Sequence, residues 1–151
     1  MQKVFTKFFS SQTKQRHDNE TDRLSLLEFK TVISLDPRQA LMSWNDSTHF
    51  CSWEGVSCRL KARLVFVISL NLTDRGLVGP IPPSLGNLTF LKLLLLSRNE
   101  FTGSIPPSFG YLHRLQVLQL SNNNTLGGTI PDWLILQTRP VSWCSSWITT
   151  I

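Results

Sequence analysis

LKLLLLSRNEFTGSIPPSFGYL, residues Leu91 to Leu112, is the stretch on which the fold turns. It fits the spacing LxxLxLxxNxLxGxIPxxLGxL at all eleven fixed positions: Leu91, Leu94, Leu96, Asn99, Phe101, Gly103, Ile105, Pro106, Phe109, Gly110 and Leu112, with two phenylalanines in apolar places. The copy upstream begins at Val67 and departs once, where Arg75 stands for the asparagine. The copy downstream keeps Leu115, Leu118, Leu120 and Asn123, then carries one extra residue before Leu126, Gly128, Ile130, Pro131 and Leu134. Its register fails after that, with Ile135 and Gln137 at the last glycine and leucine positions. The three starts, Val67, Leu91 and Leu115, are evenly spaced. Self-similarity at a fixed period of roughly 20–29 residues is the signature of a solenoid of stacked coils.

The spacing has a physical reading. Leu94 and Leu96 alternate, so in a short strand both face one side, while Leu93, Leu95 and Ser97 face the other. The strand must turn at Asn99, whose amide can bond backbone groups of adjacent turns and satisfy buried polar atoms. Gly103 permits the bend after Phe101, and Ile105-Pro106 sends an extended segment back along the other side. One coil cannot bury its leucines alone. Stacked coils share a core and line up a parallel sheet on the concave face.

Outward from the repeats, composition separates a basic leader (1–18), a small helical cap (19–63), the array (64–134) and a tail (135–151) that matches nothing before it. The whole is 151 residues, about one domain. Hydrophobic residues make up 41% and charged ones 17%, which excludes a disordered charged chain. The longest apolar run, Leu64 to Ile68, is far short of the ~20 residues needed to cross a bilayer. The net charge of +5 is concentrated in the leader (Lys3, Lys7, Lys14, Arg16) and in a connector (Arg59, Lys61, Arg63). Neither presents the basic face with interleaved aromatics of a nucleic-acid reader, so no nucleic-acid partner is expected. In the cap, Thr21 reads as the N-cap of a helix carrying Leu24, Leu27, Phe29 and Ile33 and ending before Pro37.

Two further stretches carry a family resemblance. Leu26-Leu27-Glu28-Phe29-Lys30 is similar to the LL-x-F-K helix of the plant leucine-rich-repeat cap. Ser43-Trp44-Asn45, followed by Cys51-Ser52-Trp53-Glu54-Gly55-Val56-Ser57-Cys58, is similar to that cap's W-N…C-x-W-x-G-V-x-C signature. Over residues 20 to 131 the chain resembles the start of the ectodomain of plant leucine-rich-repeat receptor-like kinases. The resemblance implies an α/β solenoid: a short right-handed array of plant-specific 24-residue leucine-rich repeats behind a helical cap. It also implies a Cys51–Cys58 disulfide, hence an oxidising compartment; the alternative is a reduced pair in a cytosolic chain. Zinc is not expected, since His49, Cys51 and Cys58 lack a fourth ligand at finger spacing. Cys144, in the tail, is left without a partner.

Asn19, Asn45, Asn71, Asn87 and Asn123 each have Ser or Thr two residues on, against about 1.6 such triplets expected by chance from eight asparagines and 30 Ser plus Thr. These are glycosylation acceptors in a secreted chain. Asn123 has a competing role as a buried turn asparagine. The leader lacks the apolar stretch of about 7–15 residues of a secretory signal, and the tail lacks both repeat and cap. The expectation from these two features is a truncated or frame-shifted relative of the receptors.

The fold's recognition surface is the set of outward strand positions. In chain order these are Ser69, Asn71, Thr73 and Asp74; Leu93, Leu95, Ser97 and Arg98; Val117, Gln119, Ser121 and Asn122. Leu93, Leu95 and Val117 form an apolar strip flanked by polar groups, the kind of surface a peptide or protein contacts. The alternatives are that the tail covers the strip or that it is repeat variation. A glycan on Asn71 would obstruct this face. Nothing matches a GxSxG elbow, an H-E-x-x-H helix, a GxxxxGK[ST] loop or a GxGxxG turn. The expectation is therefore a non-catalytic module with no cofactor or metal, taking a protein or peptide ligand and a possible co-receptor outside the cell. Other readings are a fragment without activity of its own and a secreted inhibitor of cell-wall hydrolases of the polygalacturonase-inhibitor type.

Overall fold

In the computed structural model, which describes residues 19–129, Asp132 and Ser142–Trp143, helix α1 spans 19–32. Thr21 lies inside this helix rather than at its cap, a correction with a clear cause. The polar side chains at the start of α1 reach across to a strand: Asn19 Oδ1 accepts the Val65 amide at 3.2 Å and Asp22 Oδ2 the Val67 amide at 2.8 Å. In an antiparallel pair only alternate amides face the partner, so those on the other edge need acceptors, and α1 supplies two. Leu26 and Phe29 form the buried stripe of α1, while Leu24 faces solvent. Asp36 closes the following turn by accepting the amides of Ala40 and Leu41.

The connector after the cysteines is a hairpin. Strands β1 (Val56–Lys61) and β2 (Leu64–Asn71) pair antiparallel, with a bulge at Ser57/Cys58. Ala62 and Arg63 make the two-residue turn with φ of 49° and 66°, the left-handed pair that matches strand twist. Asn-Gly is the usual signal for such a turn, so Ala-Arg hid it. A 3-10 turn, Phe50–Ser52, precedes the hairpin, and the Cys51–Cys58 disulfide joins the two.

The coils then follow the expected register. Strand β3 (Val78–Pro80) leaves the first coil, and strands β4 (Leu93–Leu95) and β6 (Val117–Gln119) extend the main sheet parallel to β2. A smaller sheet joins β3, β5 (Glu100–Ser104) and β7 (Leu126–Gly127). Strand β8 (Ser142–Trp143) pairs parallel with Val117 and Leu118. With β1, β2, β4 and β6 it completes a five-stranded sheet, so a segment expected to fall outside the array supplies an edge strand. The 3-10 turns Pro83–Asn87 and Pro107–Tyr111 stack on the returning side. There Gly86 is needed for closeness: a Cβ would sit 2.5 Å from the Ser108 carbonyl oxygen of the next coil. The leader 1–18 and the rest of the tail lie outside the described residues.

Two devices hold the coils in register. Asn99 Nδ2 donates to the Leu72, Leu96 and Ser97 carbonyls, and its Oδ1 accepts the amides of Arg75 and Leu77. Asn123 repeats this one coil later, donating to Leu96, Leu120 and Ser121 and accepting from Phe101. Each asparagine thus serves its own coil and the one before it. The second device is aromatic. Trp53 stacks on Trp44 (5.5 Å), Trp44 meets Phe29 (5.9 Å), and Phe29 meets Phe101 of the second coil (5.9 Å). All four rings are buried, so cap and coils share one core.

Candidate functional site

Parallel pairing without offset turns the 24-residue repeat into columns. Ser69, Leu93 and Val117 stand side by side, as do Asn71, Leu95 and Gln119. The middle residues, Leu70, Leu94 and Leu118, face the core. Leu93, Leu95 and Val117 are half-buried beside their polar neighbours, so the expected apolar strip exists as a narrow band on two adjacent strands, β4 and β6. Asn71, Asp74, Arg98 and Asn122 are exposed or partly so, while Ser69, Thr73, Gln119 and Ser121 are intermediate.

The third position of the set needs correction. Ser97 is only 5% exposed, and the Ser121 hydroxyl donates to its Oγ at 3.1 Å. The cause is the turn that follows. Asp74, Arg98 and Asn122, one per coil, adopt φ of 56°, 57° and 59°. This left-handed kink swings the chain off the sheet, and the amides of Asp74 and Arg98 bond the Ser97 and Ser121 carbonyls. Ser97 is therefore a link between coils and not a docking position. Asp74 is also tied back, its carboxylate 3.2 Å from Arg38 of the cap.

Of the glycosylation acceptors, Asn45, Asn71 and Asn87 are exposed and Asn19 is half-exposed. Asn123 is buried with its amide nitrogen committed to carbonyls, so the buried-turn role is the one the structure takes. A glycan on that nitrogen would break the ladder. Arg59 and Lys61 read from the sequence as a solvated connector, but the hairpin places both on the edge strand of the sheet, next to β2. Among the described residues no three His, Cys, Asp or Glu side chains gather as a metal site. None of the described helices is long and apolar enough to cross a membrane.

Comparison with known proteins matches this architecture. Residues 19–59 fit the family described as leucine rich repeat N-terminal domain, and residues 90–112 and 114–135 each fit a leucine rich repeat. The chain also overlays the BIR2 ectodomain of Arabidopsis thaliana at 32% identity and a TM-score of 0.54, covering 74% of this chain and 72% of that one. The chain belongs to the leucine-rich-repeat family of plant receptor ectodomains. Within this family it is 52% identical over 86 residues to the LRR receptor-like serine/threonine-protein kinase EFR of Arabidopsis thaliana, covering 56% of this chain and 8% of that protein. A third relative is the Arabidopsis receptor kinase HAESA, solved in complex with the peptide hormone IDA and the co-receptor SERK1. The overlay there has a TM-score of 0.64 at 38% identity, over 76% of this chain and 19% of HAESA. The leucine-rich-repeat chain thus spans a small part of the receptor kinases it matches, and the matched part is their repeat region.

Proposed function

We propose that this chain is a non-catalytic recognition module that holds a peptide or protein on the concave face of its sheet, outside the cell. The observation that carries the reading is the register of β2, β4 and β6, which sets Leu93, Leu95 and Val117 as a continuous apolar strip, with Ser69 and Asn71 beside it on β2 and Gln119 beside Leu95 on β6. A rigid sheet loses little conformational entropy when a ligand lies on it, so even a narrow strip can contribute to affinity. The HAESA complex supports peptide and co-receptor as partner classes, and the BIR2 ectodomain supports an extracellular setting. The Cys51–Cys58 bridge fits that compartment. Residues 19–63 act as the cap and 64–134 as the coils that display the surface. Asn45 and Asn87 can carry glycans away from the strip, and no catalytic role is assigned to any side chain.

The test is selection of random peptides displayed on phage against the immobilised chain. Enriched peptides should lose binding when Leu93→Lys and Val117→Lys are introduced together and keep it when Tyr111→Lys is introduced on the returning side. Selected peptides indifferent to the first pair would refute the reading.

A further inference from the structure

One flank of the sheet carries a feature that the concave strip does not use. Phe66, Phe90 and Arg114 occupy equivalent places in three successive coils and form a column of their own. The two rings stack at 3.8 Å, and the Arg114 guanidinium carbon lies 4.3 Å above the centre of the Phe90 ring. The column borders a cleft of about 230 Å³ whose remaining walls include Arg59, Lys61, Lys92 and the apolar Ile68. Four cations therefore line one cleft. Among the described residues none of the four has a carboxylate partner; the ion pairs there belong to Arg23, Arg38 and Arg75. The chain has ten acidic residues, and every one except Asp18 is described. None of those nine lines the cleft.

Four like charges around one cleft repel each other, and a cleft of one sign concentrates its field on whatever enters. Phe66, Ile68 and Phe90 add apolar surface to the lining, which favours an anion carried on an organic body over a bare hydrated ion. The cleft also adjoins the recognition columns: Ile68 and Lys92 immediately precede Ser69 and Leu93 in the chain. We infer that this cleft binds an acidic segment of a peptide ligand, with glutamate or aspartate carboxylates paired to Arg59, Lys61, Lys92 and Arg114 and a neighbouring apolar side chain set against Ile68. The inference rests on the concave-sheet reading only for the direction from which the peptide arrives. A cleft of this volume takes side chains and not the plane of a membrane.

The test uses the whole chain with its disulfide formed and a blocked peptide alternating glutamate and leucine as the probe. The same peptide with glutamine for glutamate and phosphatidylserine vesicles serve as controls. The acidic peptide should bind saturably and weaken about tenfold between low and high salt, and Lys92→Glu or Arg59→Glu should each weaken it about tenfold at low salt. Unchanged near-ultraviolet circular dichroism would certify the fold of each variant. Equal binding of the glutamine peptide, wild-type binding in both charge-reversed variants, or capture by the vesicles alone would each overturn the inference. Phage-selected peptides that depend on Leu93 and Val117, together with an acidic probe that ignores Lys92, would leave the concave reading standing and remove this one.

Discussion

The cap and the coils solve the same burial problem in different ways. In the coils each contact recurs once per repeat: Asn99 and Asn123 make matching sets of bonds, and the kinks at Asp74, Arg98 and Asn122 share one backbone conformation. In the cap almost every contact is made once, through Phe29, Trp44, Trp53, the Cys51–Cys58 bridge and the Asn19 and Asp22 bonds to β2. The difference shows most clearly where the two regions meet. Each ladder asparagine bonds backward to the previous coil, and the first coil has only the cap behind it. Arg75 stands there instead, its guanidinium 2.8 Å from Glu54 of the cap. The single departure of the first repeat is thus a junction residue and not a defect.

Several substitutions can break or sharpen that contrast. Phe29→Ala should be the most damaging, because it opens the ring bridge between the cap aromatics and Phe101; a loss of about 3–5 kcal/mol is expected in chemical unfolding. Asn99→Ala leaves the Leu72 carbonyl and the amides of Arg75 and Leu77 without their partner and the Leu96 carbonyl with Asn123 alone, at a cost of about 3 kcal/mol. Asn99→Asp sharpens this, since a carboxylate keeps the acceptor but turns its other oxygen on the same carbonyls; it should be nearly as unstable as the alanine. Breaking the disulfide with Cys51→Ser and Cys58→Ser should cost about 2–3 kcal/mol, read as a lower denaturation midpoint. Restoring the consensus with Arg75→Asn should give no gain and a loss of only about 0–1 kcal/mol, because the pair it removes is partly exposed. A clear gain there would mean that the ladder does not run backward from coil to coil. A change of the opposite sign, a gain of about 0.5–1 kcal/mol in thermal unfolding, is expected for Arg98→Asn, since asparagine tolerates φ near 57° better than arginine.

What repeats is legible in the sequence, and what occurs once is mostly not. Leu91, Leu94, Leu96 and Asn99 declare their roles because the same pattern returns in the copies that start at Val67 and Leu115. The disulfide is legible through the family resemblance of the Trp-bracketed cysteines and not through spacing alone. The hairpin of β1 and β2 is hidden because Ala62-Arg63 lacks the glycine that advertises such a turn, and Arg59 and Lys61 read as connector for that reason. Alternation places Ser97 outward, but the left-handed residue after it ends the strand, and alternation predicts nothing beyond a strand's end. Thr21 looks like a cap because the long-range duty of Asn19 and Asp22 toward β2 has no local signature. The Phe66–Phe90–Arg114 column is open to discovery by comparing the repeats at their variable positions as well as at the recurring leucines.

The most direct test of the recognition reading is an amide chemical-shift map of the chain titrated with a phage-selected peptide. The account predicts that the largest perturbations fall on Ser69–Asn71, Leu93–Leu95 and Val117–Gln119, on the three adjacent strands of the concave sheet. Perturbations gathered instead on the 3-10 turns Pro83–Asn87 and Pro107–Tyr111, with those strands silent, would contradict it.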